Sequence, residues 1–392
     1  MADLAAFAEE LLAARARRGL RRWLRPAENR PDGRVAIDGR IFVNFSSNDY
    51  LGLAGDPRVR EAAAAAARRW GAGAGASRLI TGSHPLLHAL EARLAAWKDS
   101  EDAVVLGSGY LANVSALTAL AGPEDVILID ALAHSCLWAG ARLSRARILP
   151  FRHNDCSDIE TKLAAGRAGH RHAWIVTEGV FSMDGDRAPL AALHRLAQRH
   201  DAFLYVDDAH GTGVLAGGRG SLAAAAVRAD VQMGTLSKAL GSYGGFVACA
   251  RPVAELIRNR GWGFVYTTGL PPAAVGAALA ALSILEAEPE RSARPLYLAT
   301  RFAAALGLPK PASAIVPILL GTAEAALAAQ QALEDRGFLA VAIRPPTVPE
   351  GTARLRLSFS AAHREEDVDA LAAAVRDLGL LAEDGPWQAA AS

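Results

Sequence analysis

The chain is predicted to be an α/β protein with a mainly parallel sheet and a smaller α/β unit at its C-terminal end. Three observations carry this prediction. Between residues 100 and 250 short apolar runs alternate with helical or loop sequence. Pro271-Pro272 then interrupts the chain ahead of a long alanine-rich helix. A second, shorter series of strand-like and helix-like segments follows it. At 392 residues the chain exceeds one small core. The expected divisions are an N-terminal helix and hairpin over 1–45, a large domain over 46–275, and a linker helix with a small domain over 276–392.

Residues 3–24 read as an amphipathic helix ending in the basic cluster RARRGLRRWLR, which is either a solvated face or a contact for an anionic substrate. VAIDGRIFVNF reads as a hairpin turning at Asp38-Gly39. SSNDYLGL is a polar turn, followed by an alanine-rich helix ending near Trp70. The alternation then begins: strand AVVL, the turn GSGY and helix LANVSALTAL, then strand DVILID and a helix from about Ser135. RHAWIVTEG, DAFLYVDD, DVQMGTL and YGGFVACA are further strands. Helix AAVGAALAALSILEAE bridges to strand AIVPILLG, helix AEAALAAQQALEDRG, strands FLAVAIRP and ARLRLSFS, and a last helix from about Glu365.

Composition narrows the function classes. Forty-two basic and 41 acidic residues leave a net charge of +1, which gives no support for a nucleic-acid partner. Cys136, Cys156 and Cys249 are isolated, with neither a CxxC nor zinc-ligand spacing, so no metal site is expected and a reducing compartment is. The start MADLAAFAEELL carries acids where a secretion signal needs a basic start. No apolar run is long enough for a membrane span. A cytoplasmic enzyme without a membrane partner is the expectation.

The chemistry concentrates at predicted strand ends, where open α/β sheets bind ligands. Lys238 lies among small residues in GTLSKALG, directly after an apolar run, where an amine can approach a flat aldehyde cofactor and form an imine. Asp207, ending AFLYVDD, can keep a ring nitrogen protonated by opposite charge. That pair is what pyridoxal 5'-phosphate (PLP) chemistry needs most from a protein. His210 can reach the phenolic oxygen of such a ring, and Thr235 can donate its hydroxyl to the phosphate. Gly107, Ser108, Gly109 and Tyr110 open a helix whose N–H groups can hold a phosphate, although any strand-to-helix turn favours glycine. His134 can stack on the ring or serve as a structural hydrogen-bonding residue. Glu178 and Ser182 follow another strand end, as site residues or as a capped acidic turn. Arg354 and Arg356 share one face of a strand, so one can grip a substrate carboxylate; the alternative is an edge strand with its basic residues outward. GAGAGAS follows a helix and lacks a GK[ST] ending, which excludes a nucleotide P-loop.

Taken together, SSNDYLGL, GASRLITGS, SGYLAN, TEGVFSMDGD, VDDAHGTG, GTLSKALG, AIRPPTVP and ARLRLS resemble the α-oxoamine synthases, PLP-dependent transferases of fold type I. The resemblance implies a large PLP domain on a seven-stranded, mainly parallel sheet, a small C-terminal α/β domain, and a homodimer with active sites shared between subunits. By motif, Lys238 matches the Schiff-base lysine, Asp207 the pyridinium partner and His134 the ring-stacking histidine. Gly109, Tyr110, Glu178, Ser182, His210 and Thr235 match cofactor-binding positions, and Thr267 and Thr268 match the segment reaching the neighbouring subunit's phosphate. Arg21, Asn48 and Ser77 (in SSNDYLGL and GASRLITGS for the last two), Thr347 and Arg356 match substrate-contacting positions. The sequence departs from the family in HSCLWAG, where HAS is common, and in the serine of TLSKA. The implied reaction is acyl transfer in biotin biosynthesis, joining L-alanine to a pimeloyl thioester carried by CoA or acyl carrier protein. Its alternatives are the same chemistry on glycine with acetyl-CoA or succinyl-CoA, or on serine with a long acyl thioester, and a PLP aminotransferase.

Overall fold

A computed structural model of the chain describes residues 2–381. Its first helix, Leu4–Arg17, starts at Asp3, whose carboxylate accepts from the N–H groups of Ala5 and Ala6. It stops short of the predicted end at 24. Gly19 takes a left-handed φ of 62°, and the Leu20 N–H turns back to the Arg15 carbonyl, closing a Schellman-type cap. Arg21 therefore lies beyond the helix.

Three strands follow: β1 (Ala27–Asn29), β2 (Arg34–Ile37) and β3 (Arg40–Asn44). The β2–β3 hairpin turns at Asp38-Gly39, both with positive φ, as its sequence predicts. Helices Pro57–Trp70 and Pro85–Trp97 lead into the large sheet. Its seven strands are β4 (Asp102–Leu106), β5 (Val126–Asp130), β6 (Arg147–Phe151), β7 (Ala173–Glu178), β8 (Ala202–Asp207), β9 (Val231–Thr235) and β10 (Gly245–Cys249). They lie in the order β4-β10-β9-β8-β7-β5-β6. Neighbours from β9 to β6 are parallel, and β10 runs antiparallel to both β9 and β4.

Strand β6 has no sequence-based counterpart above. Its run RILPF contains an arginine and Pro150, which cannot donate to a ladder, and β6 is indeed an edge strand, where proline is tolerated. By contrast β5, β7, β9 and β10 are buried at every position, the pattern of strands covered on both faces.

Helix Pro272–Ala287 packs on helix Pro57–Trp70. The interface belongs to a core that includes Leu51, Leu53, Val59, Leu282 and Leu285, each at most 3 % exposed. Burial of each such leucine contributes about 1.5–3 kcal/mol. A further helix, Pro289–Ala305, also lacks a counterpart in the sequence reading. It carries prolines at its first position and at Pro295 inside, a pattern that reads as broken chain until tertiary packing buries Leu298 and Phe302.

The C-terminal part contains β11 (Ile315–Gly321), β12 (Phe338–Leu339), β13 (Ala342–Ile343) and β14 (Ala353–Ser358). The predicted strand FLAVAIRP is split: β12 pairs in parallel with β3, whereas β13 joins β14 in a sheet of order β11-β14-β13. The N-terminal hairpin is thereby tied to the C-terminal part of the chain. The last described helix is Glu365–Asp377, starting where its sequence predicts. Among the described residues no helix is long and apolar enough to cross a membrane.

Candidate active site at the carboxyl ends of the strands

Strands β5, β7, β8 and β9 end side by side, and each delivers chemistry at its carboxyl end. Lys238 sits in the turn between β9 and β10, partly exposed, with its Nζ 2.7 Å from His210 Nε2. Burial drives its pKa down to about 8, against the opposing pull of Asp207 and Glu178. His210 is buried, and both desolvation and the Lys238 charge push its pKa well below the usual value, so the ring is neutral.

Asp207 ends β8. Its Oδ1 accepts from the Ala209 N–H at 2.9 Å and its Oδ2 from Asn113 Nδ2 at 2.7 Å. Asn113 is aligned in turn by Tyr205, whose hydroxyl donates to the Asn113 Oδ1 at 2.8 Å. Glu178, the register partner of Asp207 on β7, accepts at 2.7 Å from the His134 backbone N–H. Burial, with Asp207 alongside, raises the Glu178 pKa well above the carboxylate range.

His134 caps the helix Ser135–Ser144. Its Nδ1 accepts from the Cys136 N–H at 3.3 Å and lies 2.8 Å from Cys136 Sγ. Burial lowers its pKa. With Nδ1 an acceptor, the ring's one hydrogen belongs on Nε2. The unusual Cys136 therefore has a defined place: its thiol bridges His134 and Asn113, whose Nδ2 is 3.0 Å from the sulfur.

Thr235 and Gly245 close on a helix start at Gly109, forming a cradle. The helix Gly109–Leu120 is capped by Ser108, which accepts from the Leu111 N–H. Thr235 Oγ1 lies 2.8 Å from Ser237 Oγ and donates to the Gly244 carbonyl. A Cβ on Gly245 would come within 2.7 Å of the Gly109 N and Cα and the Ser108 carbonyl oxygen. The strand can meet the helix start this closely only with glycine there. Tyr110 is half exposed at the rim.

Arg354 and Arg356 share a face, as alternation predicts, but not on an edge. β14 is the middle strand and both arginines are under 7 % exposed. Arg354 pairs with Asp184. Arg356 donates to the Ser182 carbonyl, to Ser358 Oγ at 2.7 Å and to Tyr50 Oη at 3.2 Å. Tyr50 also meets His210 Nδ1 at 2.6 Å and Asn48 Oδ1 at 3.3 Å. Lys238, His210, Asn48 and Arg356 thus meet through Tyr50.

The remaining predicted residues make contacts of their own. Thr347 accepts from Arg22 at 3.1 Å, and Arg21 stacks over Trp23 at 3.9 Å. Ser77 and Thr268 form an isolated antiparallel bridge, and Thr267 donates to the Gly263 carbonyl. Tyr50 and Asn113 are not singled out by the sequence reading. The available signal for Asn113 is a polar side chain within the apolar helix LANVSALTAL, and for Tyr50 its place in SSNDYLGL.

The "Aminotransferase class I and II" family model matches residues 40–375. An 8-amino-7-oxononanoate synthase of Methylobacterium sp. (strain 4-46) is 59 % identical over 97 % of this chain and 98 % of its own. A serine palmitoyltransferase of S. paucimobilis, solved with a bound PLP–myriocin aldimine, superposes with TM-score 0.89 at 29 % identity, covering 97 % of this chain and 100 % of that one. An 8-amino-7-oxononanoate synthase structure from Francisella tularensis gives TM-score 0.73 at 25 % identity over 86 % and 97 % of the two chains. By sequence and by fold, the chain belongs to the class I and II aminotransferase family, within its group of 8-amino-7-oxononanoate synthases.

Proposed function

We propose that the protein is a PLP-dependent acyltransferase that condenses L-alanine with a pimeloyl thioester, releasing CO2 and the free thiol, to give 8-amino-7-oxononanoate in biotin biosynthesis. The single observation that carries this reading is the Lys238 amine, with its pKa lowered to about 8, beside His210 and facing the carboxylate end of β8. The high identity to 8-amino-7-oxononanoate synthases supports this substrate pair over serine with a long acyl thioester.

The residues present fit PLP. An amine suits its aldehyde, the Asp207 carboxylate its ring nitrogen, and the glycine-lined cradle of Ser108, Gly109, Thr235 and Ser237 its phosphate. Bound there, PLP supplies an electron sink for negative charge developing at the amino-acid Cα. Lys238 Nζ, neutral, takes the Cα proton as general base. Asp207 keeps the ring nitrogen cationic, and Asn113 and the Ala209 N–H hold that carboxylate still. His134 donates from Nε2 to the oxygen of the thioester carbonyl as it gains charge. Arg356 binds the alanine carboxylate.

Tyr110, Ser182, Glu178 and His210 complete the cofactor contacts, and Arg21, Asn48, Ser77 and Thr347 those to substrate. Thr267 and Thr268 serve a neighbouring subunit in a homodimer. Support for that assembly comes from exposed Leu79, Ile80, Trp262 and Tyr266, which flank the Ser77–Thr268 bridge in sequence with relative exposures of 55–78 %. The acyl group arrives on CoA or on acyl carrier protein, in the cytoplasm.

The test is thiol release from a panel of acyl thioesters with alanine, glycine or serine. Product and CO2 are expected with alanine and pimeloyl-CoA or pimeloyl-acyl carrier protein. Turnover with glycine and acetyl-CoA, and none with the predicted pair, contradicts the proposal.

A further inference from the structure

Tyr50 is fully buried and bonds both His210 and Arg356. Its backbone is fixed to the C-terminal part of the chain: Ala361 N–H donates to the Tyr50 carbonyl at 2.7 Å, and Ser360 Oγ to that of Asp49 at 2.6 Å. A phenol has one hydrogen to give and two lone pairs to receive. Three groups surround this one. Arg356 Nη2, at 3.2 Å, only donates, so Tyr50 Oη accepts from it. Two acceptors compete for the phenol hydrogen: His210 Nδ1 at 2.6 Å and Asn48 Oδ1 at 3.3 Å. The shorter and stronger bond is to His210.

This settles the histidine. With Nδ1 accepting, the neutral His210 ring carries its hydrogen on Nε2, the nitrogen 2.7 Å from Lys238 Nζ. An ammonium at that position would set hydrogen against hydrogen, whereas an amine accepts. We propose that Tyr50 is a positioning residue that holds His210 in its Nε2–H tautomer and so presents the Lys238 amine with a donor, favouring the uncharged form of that amine. The direction of the line is set by Arg356, whose obligatory donation leaves the phenol hydrogen free to point at His210. The depressed pKa of Lys238 agrees with this arrangement. The inference rests on Lys238 being the reactive amine; the tautomer itself is read without substrate, so the two ideas fail separately.

The experiment is 15N–1H correlation spectroscopy of the full-length chain labelled at histidine, with the His210 signals assigned by loss in His210→Asn. Spectra are taken before and after PLP is added. In the parent chain Nδ1 of His210 resonates as an unprotonated nitrogen and Nε2 as a protonated one. In Tyr50→Phe the hydrogen redistributes to Nδ1, and kcat falls about 100-fold, the low end of what a displaced acid–base group costs. Asn48→Ala, which removes only the losing competitor, keeps the Nε2–H pattern. Thermal melts confirm that both variants fold. An Nδ1–H tautomer in the parent, or a Tyr50→Phe spectrum identical to the parent's, overturns the proposal. So does a tautomer that collapses in Asn48→Ala but not in Tyr50→Phe.

Discussion

Glu178 and Asp207 are register partners on adjacent parallel strands, so two carboxyl groups leave the sheet side by side. Like charges this close are not both ionised readily in a buried setting, and Glu178 is the one whose pKa is pushed well above the carboxylate range. Glu178 is therefore the member of the pair held toward its neutral acid form. Glu178→Gln, which keeps an oxygen for the His134 N–H, is expected to change kcat/KM less than about threefold, whereas Asp207→Asn costs about 100-fold or more, the scale for losing a preorganised charge. Steady-state kinetics on the two variants check the difference; equal losses contradict it.

Cys136 tests the environment of the site from another side. It is 2 % exposed and Cys249 is 4 % exposed, and burial raises both thiols above the ordinary value. Burial raises the Cys156 thiol as well, but this cysteine is only partly buried and so open to a reagent. Thiolate is the reactive form, so titration of the native chain with a disulfide reagent at about pH 8 is expected to show one accessible thiol, assigned to Cys156, and three after denaturation. Rapid modification of Cys136 in the native chain contradicts the bridge it makes to His134 and Asn113.

His153 joins the loops that flank the site. Its Nδ1 bonds Asp130 Oδ1 at 2.9 Å, and its Nε2 bonds Asp186 Oδ2 at 2.8 Å, so both nitrogens donate and the ring is cationic. Although burial opposes the charge, these two carboxylates raise the pKa to about 10. A raised folded-state pKa gives stability that is fully present below about 6.5 and lost as pH rises toward 10. Partial exposure of the ring reduces the effect to about 2 kcal/mol, the scale of a hydrogen bond to a charged group. Urea unfolding of His153→Gln against the parent should show that deficit at about pH 6 and little difference at about pH 9.5. A deficit independent of pH contradicts the charged state.

What the sequence discloses follows from how local each signal is. β5, β8 and β9, and Lys238 and Asp207 beside them, are readable because an apolar run followed by a polar or glycine-rich turn is a short-range pattern. β6 is hidden by Arg147 and Pro150, which only an edge position accommodates. Helix Pro289–Ala305 is hidden by Pro295, whose cost is offset by distant packing. The central place of β14, and with it the burial of Arg356, depends on pairing with the distant β11 as well as with the nearer β13, and no short window of sequence spans the gap to β11. Tyr50 and Asn113 act by touching residues more than 90 positions away, at His210 and Asp207, and carry no local mark of it.

All of the proposed chemistry depends on Lys238 being the covalent anchor of PLP. Borohydride reduction of the PLP-saturated protein, followed by peptide mass mapping, is expected to place one phosphopyridoxyl group on Lys238, with the yellow absorbance and all turnover lost in Lys238→Ala. A colourless parent protein, a label on another lysine, or parental rates in Lys238→Ala would contradict it.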